Sequence, residues 1–216
     1  MTSTEAVLTE LERDALTELV NIGVSRAAVG LRRMVGEQVL LSVPSIELIS
    51  QRIAAALVGE REGQELIAVR QGFAGVFSGQ AMLIFPQAKS LQLVRAVVGE
   101  EMPEDALGEI EQEALAETGN VILNGCLATM ANMLRQPLSM SLPEVLRGDG
   151  ERLFRPAAVA GQDDLVLFLY INFSLLDREI RGYIALIMDL PSLATLRALI
   201  QDFITRVMND DTGHAI

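Results

Sequence analysis

Apolar residues recur at helical spacing between Thr9 and Val35, where Leu16, Leu19, Gly23, Ala27, Leu31 and Met34 share one face. That period predicts a long amphipathic helix. The pattern then switches to alternation with β-branched residues over Val39 to Ile49, which predicts a strand. Glu65 to Phe77 and Gly79 to Phe85 read as a hairpin turning at Ser78-Gly79, followed by an amphipathic helix over Ser90 to Val98. Further strands are expected over Leu138 to Leu146, Leu165 to Leu176 and Ile180 to Leu190, with Asp177-Arg178-Glu179 as a turn and a helix over Ser192 to Val207. Arg147 to Asp164 reads as a polar connection, and Arg52 to Gln64 as its shorter counterpart.

The order of these elements repeats. Asp14 to Pro44 aligns without a gap on Glu113 to Pro143 at an offset of 99 residues. Leu16 falls on Leu115, Glu18 on Glu117, Asn21 on Asn120, Met34 on Met133, and Ser42-Val43-Pro44 on Ser141-Leu142-Pro143. Near an offset of 103, Gly79 to Pro86 resembles Gly182 to Asp189. Hairpin-linked strands flanked by helices suggest an α+β layer structure. The expected fold is one roughly six-stranded mixed or antiparallel sheet, packed against helices that include two long motif-bearing ones, with a pseudo-twofold axis between the halves. The chain is read as a single domain over residues 1–216, built from repeats of about 9–100 and about 106–208, because no linker rich in Pro, Gly or Ser separates them.

Composition narrows the function classes. Half of the 216 residues are apolar, with no Trp, two Tyr and seven Phe, so the core must be mostly aliphatic. A net charge of −12 argues against a nucleic-acid partner, which needs a positive surface. The single cysteine, Cys126, cannot form an intrachain disulfide and fits a reducing compartment. The polar, acidic start has no apolar core of a signal peptide. Leu165 to Leu176 is well short of the roughly 20 apolar residues that span a bilayer. A soluble, cytoplasmic protein without membrane insertion is expected.

Opposite the apolar face of the first helix, Asp14, Glu18, Asn21 and Ser25 line one side. Glu113, Glu117, Asn120 and Asn124 do the same in the second unit. A carboxylate and an amide three residues apart project side by side, so the pair can hold a partner's lysine while the amide grips a water. One Glu-x-x-Asn is what any solvated helix face produces. Its recurrence, each time with a proline 23 residues beyond the Asn, points to a role that outweighs the poor helix propensity of Asn.

The CheC/CheX/FliY phosphatases share a signature of Asp or Ser, three residues, Glu, two residues, Asn, twenty-two residues, Pro. This sequence resembles it in full at Asp14, Glu18, Asn21 and Pro44. The second copy, Glu113, Glu117, Asn120 and Pro143, departs only in having Glu113 for Asp or Ser. Two copies are similar to CheC rather than CheX. The resemblance implies hydrolysis of the aspartyl phosphate of a CheY-type response regulator in chemotaxis. Glu18 and Glu117 would pair with the regulator's lysine, and Asn21 and Asn120 would orient the attacking water. Asp14, Ser25, Glu113 and Asn124 would contact the partner, and Pro44 and Pro143 would shape strands. The chain would need no cofactor of its own, with Mg²⁺ carried by the regulator. The alternative is a non-catalytic module of the same fold, binding a response regulator or a CheD-like deamidase.

Other chemistry lacks material. Cys126 is followed six residues on by Asn132 and so does not form the C-x5-R of cysteine phosphatases. His214, the one histidine, cannot build a metal cluster or a Ser-His-Asp triad. The glycines Gly72, Gly75 and Gly79 lie between strands and do not form G-x-G-x-x-G. Asp163-Asp164 reads as a turn.

Overall fold

The computed structural model describes residues 8–36, 38–98, 107–155, 165–175 and 178–212. Asp163-Asp164, Asp177 and His214 lie outside them. In chain order the elements are α1 (Glu10–Val35), β1 (Val39–Ser50), α2 (Gln51–Glu62), β2 (Leu66–Gly75), β3 (Gly79–Pro86), α3 (Gln87–Val98) and α4 (Leu107–Met133). Then follow β4 (Leu138–Met140), β5 (Glu144–Gly148), α5 (Gly150–Leu153), β6 (Leu165–Leu175), β7 (Arg178–Met188) and α6 (Leu190–Thr212).

Helix α1 starts where the sequence chemistry dictates. Thr9 is the N-cap, its hydroxyl accepting from Glu12 N–H while the Glu12 carboxylate accepts from Thr9 N–H, a capping box. Gly36 ends the helix at φ +78°, a left-handed conformation that favours glycine, and donates to the Arg32 carbonyl. The Glu12 carboxylate is buried and also accepts from Gln201 Nε2 (2.7 Å) and Arg197 Nη2 (3.2 Å), which ties the start of α1 to α6.

The seven strands among the described residues form one antiparallel sheet in the order β1-β6-β7-β3-β2, with β4 and β5 both pairing the outer edge of β2. Exchanging each element for its counterpart one repeat later (α1 for α4, β1 for β4 and β5, α2 for α5, β2 for β6, β3 for β7, α3 for α6) turns this order into its own reverse. The first strand of each half is therefore hydrogen-bonded to the other half: β1 to β6, and β4 and β5 to β2.

The strand count differs from the six expected because Leu138 to Leu146 is not one strand. It breaks around Ser141–Pro143 into β4 and β5, since proline has no N–H for the ladder. At the matching place β1 stays continuous through Pro44 but shifts register between Ser42 and Ser45. The second correction is Arg52 to Gln64, expected as a connection and found as helix α2. Ser50 caps it through Ile53 N–H, and Ala54, Ala55 and Val58 bury its apolar side.

Each face of the sheet carries a core. On one, Val69, Leu83, Leu169 and Ile184 pack against α1, α4, α3 and α6; on the other, Ala68, Ile84, Phe168 and Tyr183 pack against α2 and α5. Helices α1 and α4 lie antiparallel at close approach, because Gly23 faces the Cys126 backbone, Gly125 faces Ala27 and Gly30 faces Val121. Among the described residues, no helix is long and apolar enough to cross a membrane.

Candidate functional site

The two polar stripes lie on the outer flanks of the α1–α4 pair, one toward β1 and the other toward β2. On α1, Asp14, Glu18 and Ser25 are exposed and make no hydrogen bond among the described residues, whereas Asn21 is half-buried. Asn21 turns to the strand. Its Oδ1 accepts from Val43 N–H at 2.9 Å and its Nδ2 donates to the Val43 carbonyl at 3.2 Å. Val43 and Pro44 form the irregularity in β1, where backbone groups lose their ladder partners. A buried backbone amide needs another partner, and Asn21 supplies both donor and acceptor. In the first half this clamp accounts for the spacing from Asn21 to Pro44: the amide reaches the residue just before the proline. Among the described residues, one lone pair and one N–H of the Asn21 amide remain unused.

The second half has the same pieces in a different arrangement. Helix α4 lies directly on β2, since a Cβ at Gly119 would come within 2.5 Å of the Val69 side chain. This approach brings Asn120 onto Gln71, two residues along β2. Gln71 Nε2 donates to Asn120 Oδ1 (3.0 Å) and to the Ser141 carbonyl (2.9 Å). Asn124 Nδ2 donates to the same Asn120 oxygen at 2.6 Å. Two carbonyl oxygens of this trio, Gln71 Oε1 and Asn124 Oδ1, are buried without a partner among the described residues. Leu142, the counterpart of the buried Val43, is 89% exposed.

Glu113 and Glu117 are exposed on α4. Glu113 lies with Pro143 on a cleft of about 440 Å³, lined also by Gln112, Ala116, Glu144 and Val145. Neighbouring ion pairs, Arg70 with Glu144 (2.7 Å) and Arg147 with Glu111 (3.1 Å), are surface contacts of small energetic weight.

The structure thus brings Asn120 and Asn124 together, places Glu113 beside Pro143, and ties Asn21 next to Pro44. It leaves Asp14, Glu18, Ser25 and Glu117 as side chains free to meet a partner. The two asparagines are about two to three helical turns apart along the antiparallel pair, so each half is a separate station. Sequence reasoning missed Gln71. Its signal was there: on the α4-facing side of β2 the series Ile67, Val69, Gln71, Phe73 is apolar except for that amide.

Cys126 sits in the α1–α4 seam, and burial pushes its thiol up to about 12. A thiolate is the reactive form. The folded protein should therefore resist a maleimide or aromatic disulfide reagent at pH 8 for hours, and react within minutes in denaturant. Rapid labelling of folded protein would mean that α1 and α4 part readily.

A larger cleft of about 590 Å³ lies on the opposite sheet face and contains no stripe residue other than Pro44. Its side chains engage one another: Tyr183 Oη donates to Glu62 (2.5 Å), and the Arg61 guanidinium lies 4.7 Å from the Tyr170 ring centre. Among the described residues there is no group of three or more His, Cys, Asp or Glu side chains that could hold a metal ion.

Comparisons with known proteins follow the same lines. The family model "Chemotaxis phosphatase CheX" matches residues 67–162, from β2 through α4 and beyond. The chain is 24% identical over 140 residues to the flagellar motor switch phosphatase FliY of Bacillus subtilis, covering 64% of this chain and 36% of that one. It is 25% identical over 139 residues to the CheY-P phosphatase CheC of the same organism, covering 63% of this chain and 66% of that one. The matched stretch therefore spans about a third of one relative and two thirds of the other. Among solved structures, FliY of Thermotoga maritima has the same fold, with a TM-score of 0.73, 16% identity, and coverage of 91% of this chain and 99% of that one. In signature, family model, relatives and fold, the chain is similar to the CheC/CheX/FliY phosphatases.

Proposed function

We propose that this protein hydrolyses the aspartyl phosphate of a CheY-type response regulator in chemotaxis. The observation that carries this reading is the recurrence, on both α1 and α4, of an exposed carboxylate one turn before an amide, the first amide bonded to the segment that precedes a proline and the second linked to its own through Gln71. A relative, CheC of Bacillus subtilis, bears the name of CheY-P phosphatase.

Glu18 and Glu117 hold the regulator's active-site lysine, with Asp14, Ser25, Glu113 and Asn124 as flanking contacts. Asn21 and Asn120 steer a water onto phosphorus. The water oxygen bonds to phosphorus as the bond to the aspartyl oxygen breaks, leaving a free carboxylate, inorganic phosphate and a proton released to solvent. No covalent enzyme intermediate forms. An acyl phosphate is already reactive, so placement and electrostatics suffice. The chain needs no cofactor, and the Mg²⁺ belongs to the regulator.

The test is the decay of phosphorylated CheY-type receivers from the same genome. Wild-type protein accelerates it, and Asn21→Ala/Asn120→Ala loses on the order of 10²-fold of that acceleration while still binding. Binding without acceleration by the wild type would leave an adaptor for a response regulator or a CheD-like deamidase.

A further inference from the structure

We propose that Gln71 is the positioning residue of the second half, holding the Asn120 carbonyl toward the protein so that its amino group faces a partner. This rests on the reading of Asn120 as the group that handles the attacking water. The orientation follows from a backbone atom. The Ser141 carbonyl can only accept, so Gln71 Nε2 must face it, and the same Nε2 reaches Asn120 Oδ1. Asn124 Nδ2 takes the other lone pair. Asn120 Nδ2 keeps both hydrogens, without a partner among the described residues. Asn120 therefore meets water as a donor, and the water retains a lone pair for phosphorus.

Packing alone does not account for Gln71. It is 1% exposed, and a buried amide is costly unless fully hydrogen-bonded, yet its own Oε1 has no partner among the described residues. The strand registers identify its counterpart. Val69 pairs with Val145 and Phe73 with Met140 as Leu169 pairs with Ile46 and Phe173 with Leu41, so Gln71 corresponds to Ile171. There the corresponding trio is Ile171, Asn21 and Ser25, and Asn21 binds the backbone of Val43 instead. An isoleucine fits this sheet, and the second half has an amide in its stead.

Gln71→Leu, with Gln71→Met as the length-preserving second variant if the first does not fold, tests the proposal by two readouts. With a CheY-type receiver phosphorylated by a small-molecule donor, kcat falls roughly tenfold while KM stays within about twofold. On an Asn120→Ala background the same change has no further effect. In labelled protein, Gln71→Leu moves the Asn120 side-chain amide signals in the NMR spectrum and leaves those of Asn21 in place. An unchanged kcat, or an equal loss on the Asn120→Ala background, overturns the positioning role. If the wild type dephosphorylates no receiver, the phosphatase reading fails separately. The amide signals then decide alone, and Asn120 signals that Gln71→Leu does not move overturn the proposal.

Discussion

Glu12→Ala is expected to lower the free energy of unfolding by about 3–5 kcal/mol, the cost of removing one partner from a buried ion pair. The Glu12 carboxylate joins two helices: it closes the capping box of α1 on Thr9 N–H and accepts from Gln201 and Arg197 on α6. Its side chain is 3% exposed and that of Arg197 is 21% exposed, so water replaces little of what is lost. A drop of roughly 6–20 °C in Tm should accompany it. Urea titration gives the direct measure, and a loss under about 1 kcal/mol would show the α1–α6 tie to be no stronger than a surface pair. The same group sets an acid limb. Burial pushes the Glu12 pKa up, but the hydrogen bonds from Thr9, Gln201 and Arg197 and the Arg197 charge together outweigh it and hold the pKa below the ordinary 4.5. A depressed carboxylate stabilises fully above its unfolded value and loses that contribution as pH falls through its folded value. Glu12→Gln should remove this part of the acid sensitivity while keeping much of the cap.

Gly23→Val should cost about 3 kcal/mol. A Cβ there would lie 2.8 Å from Cys126 Cα and 3.1 Å from its carbonyl oxygen. These are backbone atoms of α4, so no rotamer change relieves the contact and the two helices must separate. Overpacking of this kind reaches about 3 kcal/mol, more than the gain of up to about 1 kcal/mol from removing a glycine from a helix interior. Gly59 in α2 is the control, since a Cβ there meets nothing within 4 Å. Gly59→Ala should stabilise by up to about 1 kcal/mol. Opposite signs in denaturant titrations identify the helix seam as the constraint, and equal small effects would remove it.

Helix α1 was legible almost to the residue, because its capping residue, apolar period and terminal glycine agree with one another. Helix α2 carried signals of its own in Ser50, the run Ala54-Ala55-Ala56 and Gly63. Its charged ends, Arg52 and Glu60-Arg61-Glu62, hid a short buried stripe facing the second side of the sheet. The break between β4 and β5 turns on whether a proline is bulged over or ends the strand, which neighbouring strands decide. The stripes were read from spacing alone, and spacing cannot tell an amide facing water from one turned back to a strand. Asn21 and Asn120 occupy equal places in sequence and differ because Ile171 stands in one half where Gln71 stands in the other. That difference depends on registers between distant strands, which local pattern does not contain.

The exchange of first strands between the halves has a consequence for synthesis. Strand β1 ends at Ser50, but β6, its one ladder partner among the described residues, begins at Leu165. At about 5–20 residues per second, roughly 6–23 s pass on the ribosome before that partner exists. During this interval Val39, Leu41, Val43 and Ile46 form an apolar strand with both edges open, the kind of segment another nascent chain can extend. Pro44 lies in its middle and offers no N–H to such a neighbour. The proline next to the Asn21 clamp therefore also guards the nascent chain against pairing with the wrong strand.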